Sequence, residues 1–252
     1  MFDFAKSPVL GVQEFCFLTG RALKGVVRRP HYFDDIFIQM DIIGVGSIPI
    51  VVMMGFFAGA VMAMQMARAL QTYGAISQTS QVVAISLVRE LGPVLTALLV
   101  AGRNASGMAS ELGSMKVTEQ IDAMRALGTD PVKKLVVPRL LATIFVLPLL
   151  TILADFVGIF GGFLIAYFSL KLPADQYWTM SWQALEYSDI AQGLIKPVAF
   201  AFAIALIGCY YGLRTTGGTQ GVGRATTQAV VVSSVAIFFV TFFITRIFTT
   251  SI

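Results

Sequence analysis

An all-α integral membrane protein is the fold class predicted by three features of this 252-residue chain: 56% of its residues are apolar, only 13% are charged, and its mean hydropathy is +0.79. Soluble domains carry roughly twice that share of charge. A spanning helix needs about 20 mostly apolar residues, and five windows qualify: residues 42–66, 82–109, 140–170, 190–212 and 225–245. Barrel strands are about half as long and alternate in polarity, so the windows read as helices. The expected architecture is an N-terminal interfacial helix, five transmembrane helices and a cytoplasmic coupling helix between spans two and three. Its two parts are an N-terminal segment, 1–41, and a membrane domain, 42–252.

The first element is the segment "VLGVQEFCFLTGRALKGVVRR", which mixes Phe15, Leu18, Leu23, Val26 and Val27 with Arg21, Lys24, Arg28 and Arg29. Its apolar face suits lipid and its basic face suits headgroups; a helix packed on a partner is the alternative. Pro30 ends it. His31 is the chain's single histidine and reads as a surface residue. The first long apolar run begins only at Ile42, after a charged region too long for a signal-peptide n-region, so span one acts as its own insertion signal. Cys16 and Cys209 show no metal spacing and are expected to stay unpaired.

Lys and Arg fix the expected orientation. Residues 1–41 hold five, 111–139 hold five and 213–224 hold two, whereas the opposite side holds Arg68, Lys171 and Arg246. The positive-inside rule then places the N-terminus in the cytoplasm and the C-terminus outside. The pI of 9.2 reflects this orientation and anionic headgroups; nothing points to nucleic acid.

Spans two to four carry charges. Arg89, Glu90 and Arg103 lie in the second, Asp155 in the third and Lys196 in the fourth. A charge at membrane depth costs about 3 kcal/mol on insertion scales, so such groups face a bundle interior or a wet cavity. Glu90 and Lys196 fall at comparable depth in the outer part of their spans, and Pro93 and Pro197 just beyond them loosen both helices. An outward-opening cavity or a purely structural ion pair fits that pattern. Arg103 and Asp155 are expected to pair structurally. The small residues of "AGRNASGMAS" and "GIFGGF" permit close helix approach and are candidates for the contact between two subunits. "IFFVTFF" reads as lipid-facing surface.

Between spans two and three lies "SMKVTEQIDAMRALGTDP". On a helix over 114–127, Val117, Ile121, Met124 and Leu127 form one apolar stripe, with Glu119, Asp122 and Arg125 around it. Ser114 suits the N-cap and Gly128 the C-cap, and Asp130 with Pro131 starts the next helix. Such a helix is either a plain connector or a docking element; its rigid flanks favour docking on a cytoplasmic partner. "GGTQGVGRA" lacks the Gly-Lys-Ser/Thr of a phosphate loop, since Arg224 and Ala225 follow Gly223.

The stretches "LVRELGPVLTALLVAGR" (87–103), "RNASGMASELGSMKVTEQIDAMRALGTDPVKKLVVPR" (103–139) and "GGTQGVGRATTQAVVVSS" (217–234) closely resemble the signatures of MlaE-type permeases, the membrane subunits of ABC transporters that move phospholipids in the Mla and Mce systems. The resemblance runs from about residue 35 onward and departs within the docking helix at Asp122, Ala123 and Met124. It implies a pair of such chains in the bacterial inner membrane. It also implies an MlaF-type ATPase subunit that binds the ATP, an MlaD-type periplasmic subunit with an MCE domain, and an MlaB-type STAS subunit. Docking on the ATPase falls to Val117, Glu119, Ile121, Asp122, Met124 and Arg125. A phospholipid pocket is implied at residues matching Leu70, Tyr73, Arg89, Glu90, Leu91 and Lys196. The chain itself has no catalytic residues or cofactor. An ion-coupled secondary transporter using Glu90, Asp155 and Lys196 is the alternative, though the two related halves common in such folds are only faintly echoed here.

Overall fold

The computed structural model describes residues 2–27 and 32–250, with side chains from Leu10 onward. Arg28, Arg29, Pro30 and His31, on which the expected helix stop and surface histidine fall, lie outside the described residues. In chain order the helices are α1 (Phe2–Val27), α2 (Phe33–Gln71), α3 (Ile76–Val117), α4 (Gln120–Ala126), α5 (Val132–Phe168), α6 (Ala174–Ala184), α7 (Tyr187–Leu213) and α8 (Gly218–Thr250). No strand occurs among the described residues. Helices α2, α3, α5, α7 and α8 are long and apolar enough to cross a membrane; four of them contain an expected window whole, and α5 ends at Phe168, two residues short of the end of the third. All five begin earlier than their windows, because a hydropathy window ends where polar residues begin although the backbone hydrogen bonds continue.

Two of these helices widen to π-type turns just before a proline, at Leu87–Leu91 in α3 and Val132–Val136 in α5. The cause is local. Pro93 has no N–H to offer the Arg89 carbonyl, and Pro138 none to offer that of Lys134, so the ladder is already interrupted there.

The chain divides into two compact units, and each long helix contributes a part to both. One unit comprises Met1–Ile43, Ala101–Thr143 and Ala201–Val235. Within it α1 lies on the chain itself: Phe15 meets Tyr210 edge to face with centroids 5.5 Å apart, the Tyr210 hydroxyl donates to the Gly11 carbonyl (3.0 Å), and Arg21 pairs with Asp130 at 2.9 Å. Ala22 is buried while Leu10, Phe17, Leu23 and Val27 stay exposed, so the amphipathic helix has one face on protein and retains an apolar strip. Gly208 and Gly212 of α7 let it close on α3: a Cβ at either would stand 3.1 Å from the backbone of Ala105 or Ala109. Arg139 is buried and pairs with Glu111 at 2.8 Å.

The other unit comprises Gly44–Val100, Ile144–Phe200 and Ala236–Ile252. Here α2 and α5 touch backbone to backbone. A Cβ at Gly55 would stand 2.6 Å from the Ala154 carbonyl oxygen, and one at Gly59 or Gly161 would overlap the carbonyl of Gly158 or Phe56. The small residues of "GIFGGF" therefore serve close helix approach inside the chain, as expected of them. In "AGRNASGMAS", Ala105 and Ala109 are likewise engaged, while Gly102 and Gly107 have no neighbour within 4 Å of an added Cβ. Helix α6 is an element the hydropathy pattern did not predict, being short and half polar. It packs on the start of α3, with Tyr177 fully buried and its hydroxyl donating to the Ile159 carbonyl at 3.0 Å. Burial pushes that phenol well above its usual range, so it stays a neutral donor.

Candidate functional site

The widened turn Leu87–Leu91 sets Arg89 and Glu90 side by side on α3, and each meets an opposite charge on α7. The Lys196 ammonium, fully buried, lies 2.6 Å from Glu90 Oε1 and donates to the Arg89 carbonyl at 2.8 Å. That carbonyl is the acceptor that Pro93 leaves without its helical donor, so one ammonium satisfies both a carboxylate and a backbone orphan. Glu90 Oε1 also accepts from the Thr245 hydroxyl of α8 at 2.9 Å. The Arg89 guanidinium donates through Nε (2.7 Å) and Nη2 to Asp189 Oδ1, while Asp189 Oδ2 accepts from the Glu186 amide and closes the first turn of α7. Asp189 is buried to 1% exposure.

Four charges thus balance in two pairs, and the cluster opens on one side. Glu90 keeps 35% of its side chain exposed, at a groove lined by Phe238, Thr241, Phe242, Thr245 and Arg246 of α8. An amphiphile can lay its chain on the two phenylalanines and its headgroup against Glu90 and Arg246.

Of the residues expected to line a lipid pocket, Arg89, Glu90 and Lys196 come together. Leu91 instead packs inward against Ala63, Val83 and Leu87. Leu70 is half-buried at the end of α2, and Tyr73 is 83% exposed with no hydrogen bond or ring contact from its side chain to the charged set. Asp189 and Thr245 were missed. The signal for Asp189 was an acid in the first turn of span four, opposite Arg89; Thr245 offered none. Arg103 and Asp155 fall in different units, and their pairing stays an expectation. Asp155 is 8% exposed with Oδ1 unpartnered, and Arg103 has no ion pair among the described residues. Among the described residues no hydrogen bond joins Asp155 to Glu90 or Lys196.

The connector differs from the expected single helix. Span two runs on through Ser114, whose carbonyl accepts from the Thr118 amide and hydroxyl, so Ser114 is no N-cap. The break comes at Glu119, in the left-handed region at φ 60°, and the short helix starts at Gln120. Within the stripe only Ile121 is buried; Val117 and Leu127 are exposed and Met124 half-buried. Gly128, at φ 77°, ends the helix with the Thr129 amide on the Met124 carbonyl (2.9 Å), and Asp130 caps α5 through the Val132 amide (3.0 Å), both as expected. Asp122 bonds Lys116 at 2.7 Å and Arg125 at 2.9 Å. The Lys116 hydrogen bond above all, then Arg125, holds the Asp122 carboxyl below its usual range. What it contributes to the connector is therefore present at neutral pH and lost as pH falls through that lowered value.

Five apolar helices holding balanced charges at membrane depth define a multi-pass membrane protein. The family model described as Permease MlaE matches residues 36–247. A probable ABC transporter permease protein of Rickettsia bellii is 42% identical over 237 residues, 94% of this chain and 92% of the relative. The intermembrane phospholipid transport system permease protein MlaE of Haemophilus influenzae is 35% identical over 232 residues, 92% of this chain and 89% of that one. The chloroplastic protein TRIGALACTOSYLDIACYLGLYCEROL 1 of Arabidopsis thaliana is 33% identical over 231 residues, 92% of this chain and 66% of the relative. The chain belongs to the MlaE permease family, and it is a transport subunit rather than an ATPase.

Proposed function

We propose that this chain is the permease of an ABC transporter that moves phospholipid between two membranes, with ATP hydrolysed by a separate cytoplasmic subunit. The observation that carries the reading is the Glu90–Lys196–Thr245 cluster beside the groove on α8, where charge and apolar surface meet as a phospholipid requires. The name of the Haemophilus relative supports the substrate class. Two copies pair in the bacterial inner membrane, N-termini in the cytoplasm and C-termini in the periplasm, as the Lys and Arg distribution favours. An MlaF-type ATPase, an MlaD-type MCE-domain subunit and an MlaB-type STAS subunit complete the assembly. Arg103 and Asp155 are left outside the lipid path.

Glu90→Gln keeps the shape and removes the charge, leaving the Lys196 ammonium buried without a counter-ion. ATP-dependent lipid transfer by the reconstituted complex is expected to fall by about tenfold or more, with the complex still assembling. A photocrosslinker at Phe242 is expected to capture phospholipid; Leu91 is the poorer position because it packs inward. Normal transfer in Glu90→Gln together with no captured lipid would overturn the reading.

The α4 connector is the surface proposed to receive the ATPase, through Val117, Glu119, Asp122, Met124 and Arg125, with Ile121 as its buried anchor. Asn tolerates the left-handed backbone that Glu119 occupies, so Glu119→Asn removes charge without disturbing the break. Glu119→Asn and Arg125→Glu are each expected to lower the permease's stimulation of ATP hydrolysis several-fold while membrane insertion is unchanged. Wild-type stimulation in both variants would remove the docking role.

A further inference from the structure

The same unit contains a second cavity, of about 200 Å³, walled by Val88, Phe156, Ile159, Trp178 and Trp182, with Asp155 in its lining. Its lining is almost wholly apolar, and Asp155 is the one charged side chain among the described residues that line it. The carboxyl is held in place by shape: it occupies the space that a side chain at Gly92 would fill. It is more than nine-tenths buried, and Oδ1, the oxygen that lies against Gly92, has no hydrogen-bond partner among the described residues. A carboxyl withdrawn from water without a partner is costly, and one at membrane depth is retained where it binds something. The two indoles, at i and i+4 on α6, line the same cavity. Trp182 is 64% exposed and Phe156 60%, so the wall continues outward to the protein surface.

A carboxyl among aromatic faces is the chemistry that selects an organic cation, since the carboxylate supplies the counter-charge and the ring quadrupoles add to it. The lining offers no Lys or Arg to hold a phosphate. We propose that this cavity binds the primary ammonium of an amphiphile, on Asp155 and between the indoles of Trp178 and Trp182, with the alkyl chain leaving past Phe156. The source is a free alkylamine or the amine headgroup of a bilayer lipid. The site is independent of the transport reading, because it shares no side chain with the Glu90 cluster.

The sequence supplies its own reporter, since Trp178 and Trp182 are the chain's two tryptophans and both line the cavity. The test is quenching of tryptophan fluorescence of the full-length chain in phosphatidylcholine nanodiscs by chain-brominated dodecylamine, with equally brominated dodecanol and dodecanoate as matched probes. Saturable quenching is expected at about tenfold lower concentration for the amine than for the alcohol or the acid. Asp155→Asn should abolish that preference, and Glu90→Gln should leave it intact. The headgroup comparison needs no substitution, so a variant that fails to fold cannot decide the matter. Nanodiscs containing brominated phosphatidylethanolamine identify the source: Asp155-dependent quenching assigns the site to bilayer lipid, and quenching by the alkylamine alone assigns it to a free amphiphile. Equal quenching by the three probes, or an amine preference that survives Asp155→Asn, would overturn the proposal.

Discussion

Lys196→Met is expected to destabilise the membrane domain by about 3 kcal/mol and to abolish lipid transfer. The ammonium is fully buried and makes two contacts that nothing else supplies, to Glu90 Oε1 and to the Arg89 carbonyl. Removing one member of a buried pair costs about 3–5 kcal/mol, because the other charge is left without compensation. Glu90 is partly exposed, which puts the cost at the lower end. The double variant Glu90→Leu, Lys196→Met removes both charges and is expected to recover most of the loss, short of about 1 kcal/mol for the carbonyl that Pro93 cannot serve. Transport should not return, since the headgroup contact is gone. Unfolding midpoints of the single and double variants in nanodiscs, beside lipid transfer by the assembled complex, measure both halves. A double variant no more stable than Lys196→Met would mean that the two charges are not coupled in the folded protein.

The paired charges show what was legible in the sequence and what was not. Five spans followed from apolar runs, because in lipid every backbone group must be satisfied within its own helix and hydropathy alone marks such segments. The depth match of Glu90 and Lys196 followed from counting residues along helices of known rise. The cap at Asp130 and the stop at Gly128 followed from local chemistry that tertiary packing did not override. What counting could not supply was rotation about the helix axis. It gave Arg89 the right depth but not its partner Asp189. The left-handed break at Glu119 was hidden because the residue there is not glycine. Helix α6 was hidden because a half-polar segment of eleven residues falls below any spanning window.

The contact between α2 and α5 sets the second large effect, which is expected of Gly59→Leu. Lipid tails are as apolar as leucine, so helices in a membrane associate through close packing, and small residues allow the backbones to approach. At Gly59 the obstacle to a side chain is the Gly158 carbonyl, a backbone atom that cannot rotate aside, and the same holds at Gly55 against Ala154. A leucine there must separate α2 from α5 over the turn that also carries Gly161 against Phe56. Overpacking typically costs 1–3 kcal/mol, and with no flexible neighbour to yield we expect about 3 kcal/mol. Gly107→Leu is the matched control, since an added Cβ there meets nothing within 4 Å. The isolated chain should keep its unfolding midpoint in Gly107→Leu and lose it in Gly59→Leu. If Gly107→Leu instead disrupts only the pairing of two chains, measured by crosslinking in nanodiscs, the open glycines of "AGRNASGMAS" belong to the contact between subunits. If Gly59→Leu leaves the midpoint unchanged, α2 and α5 do not meet through their glycines.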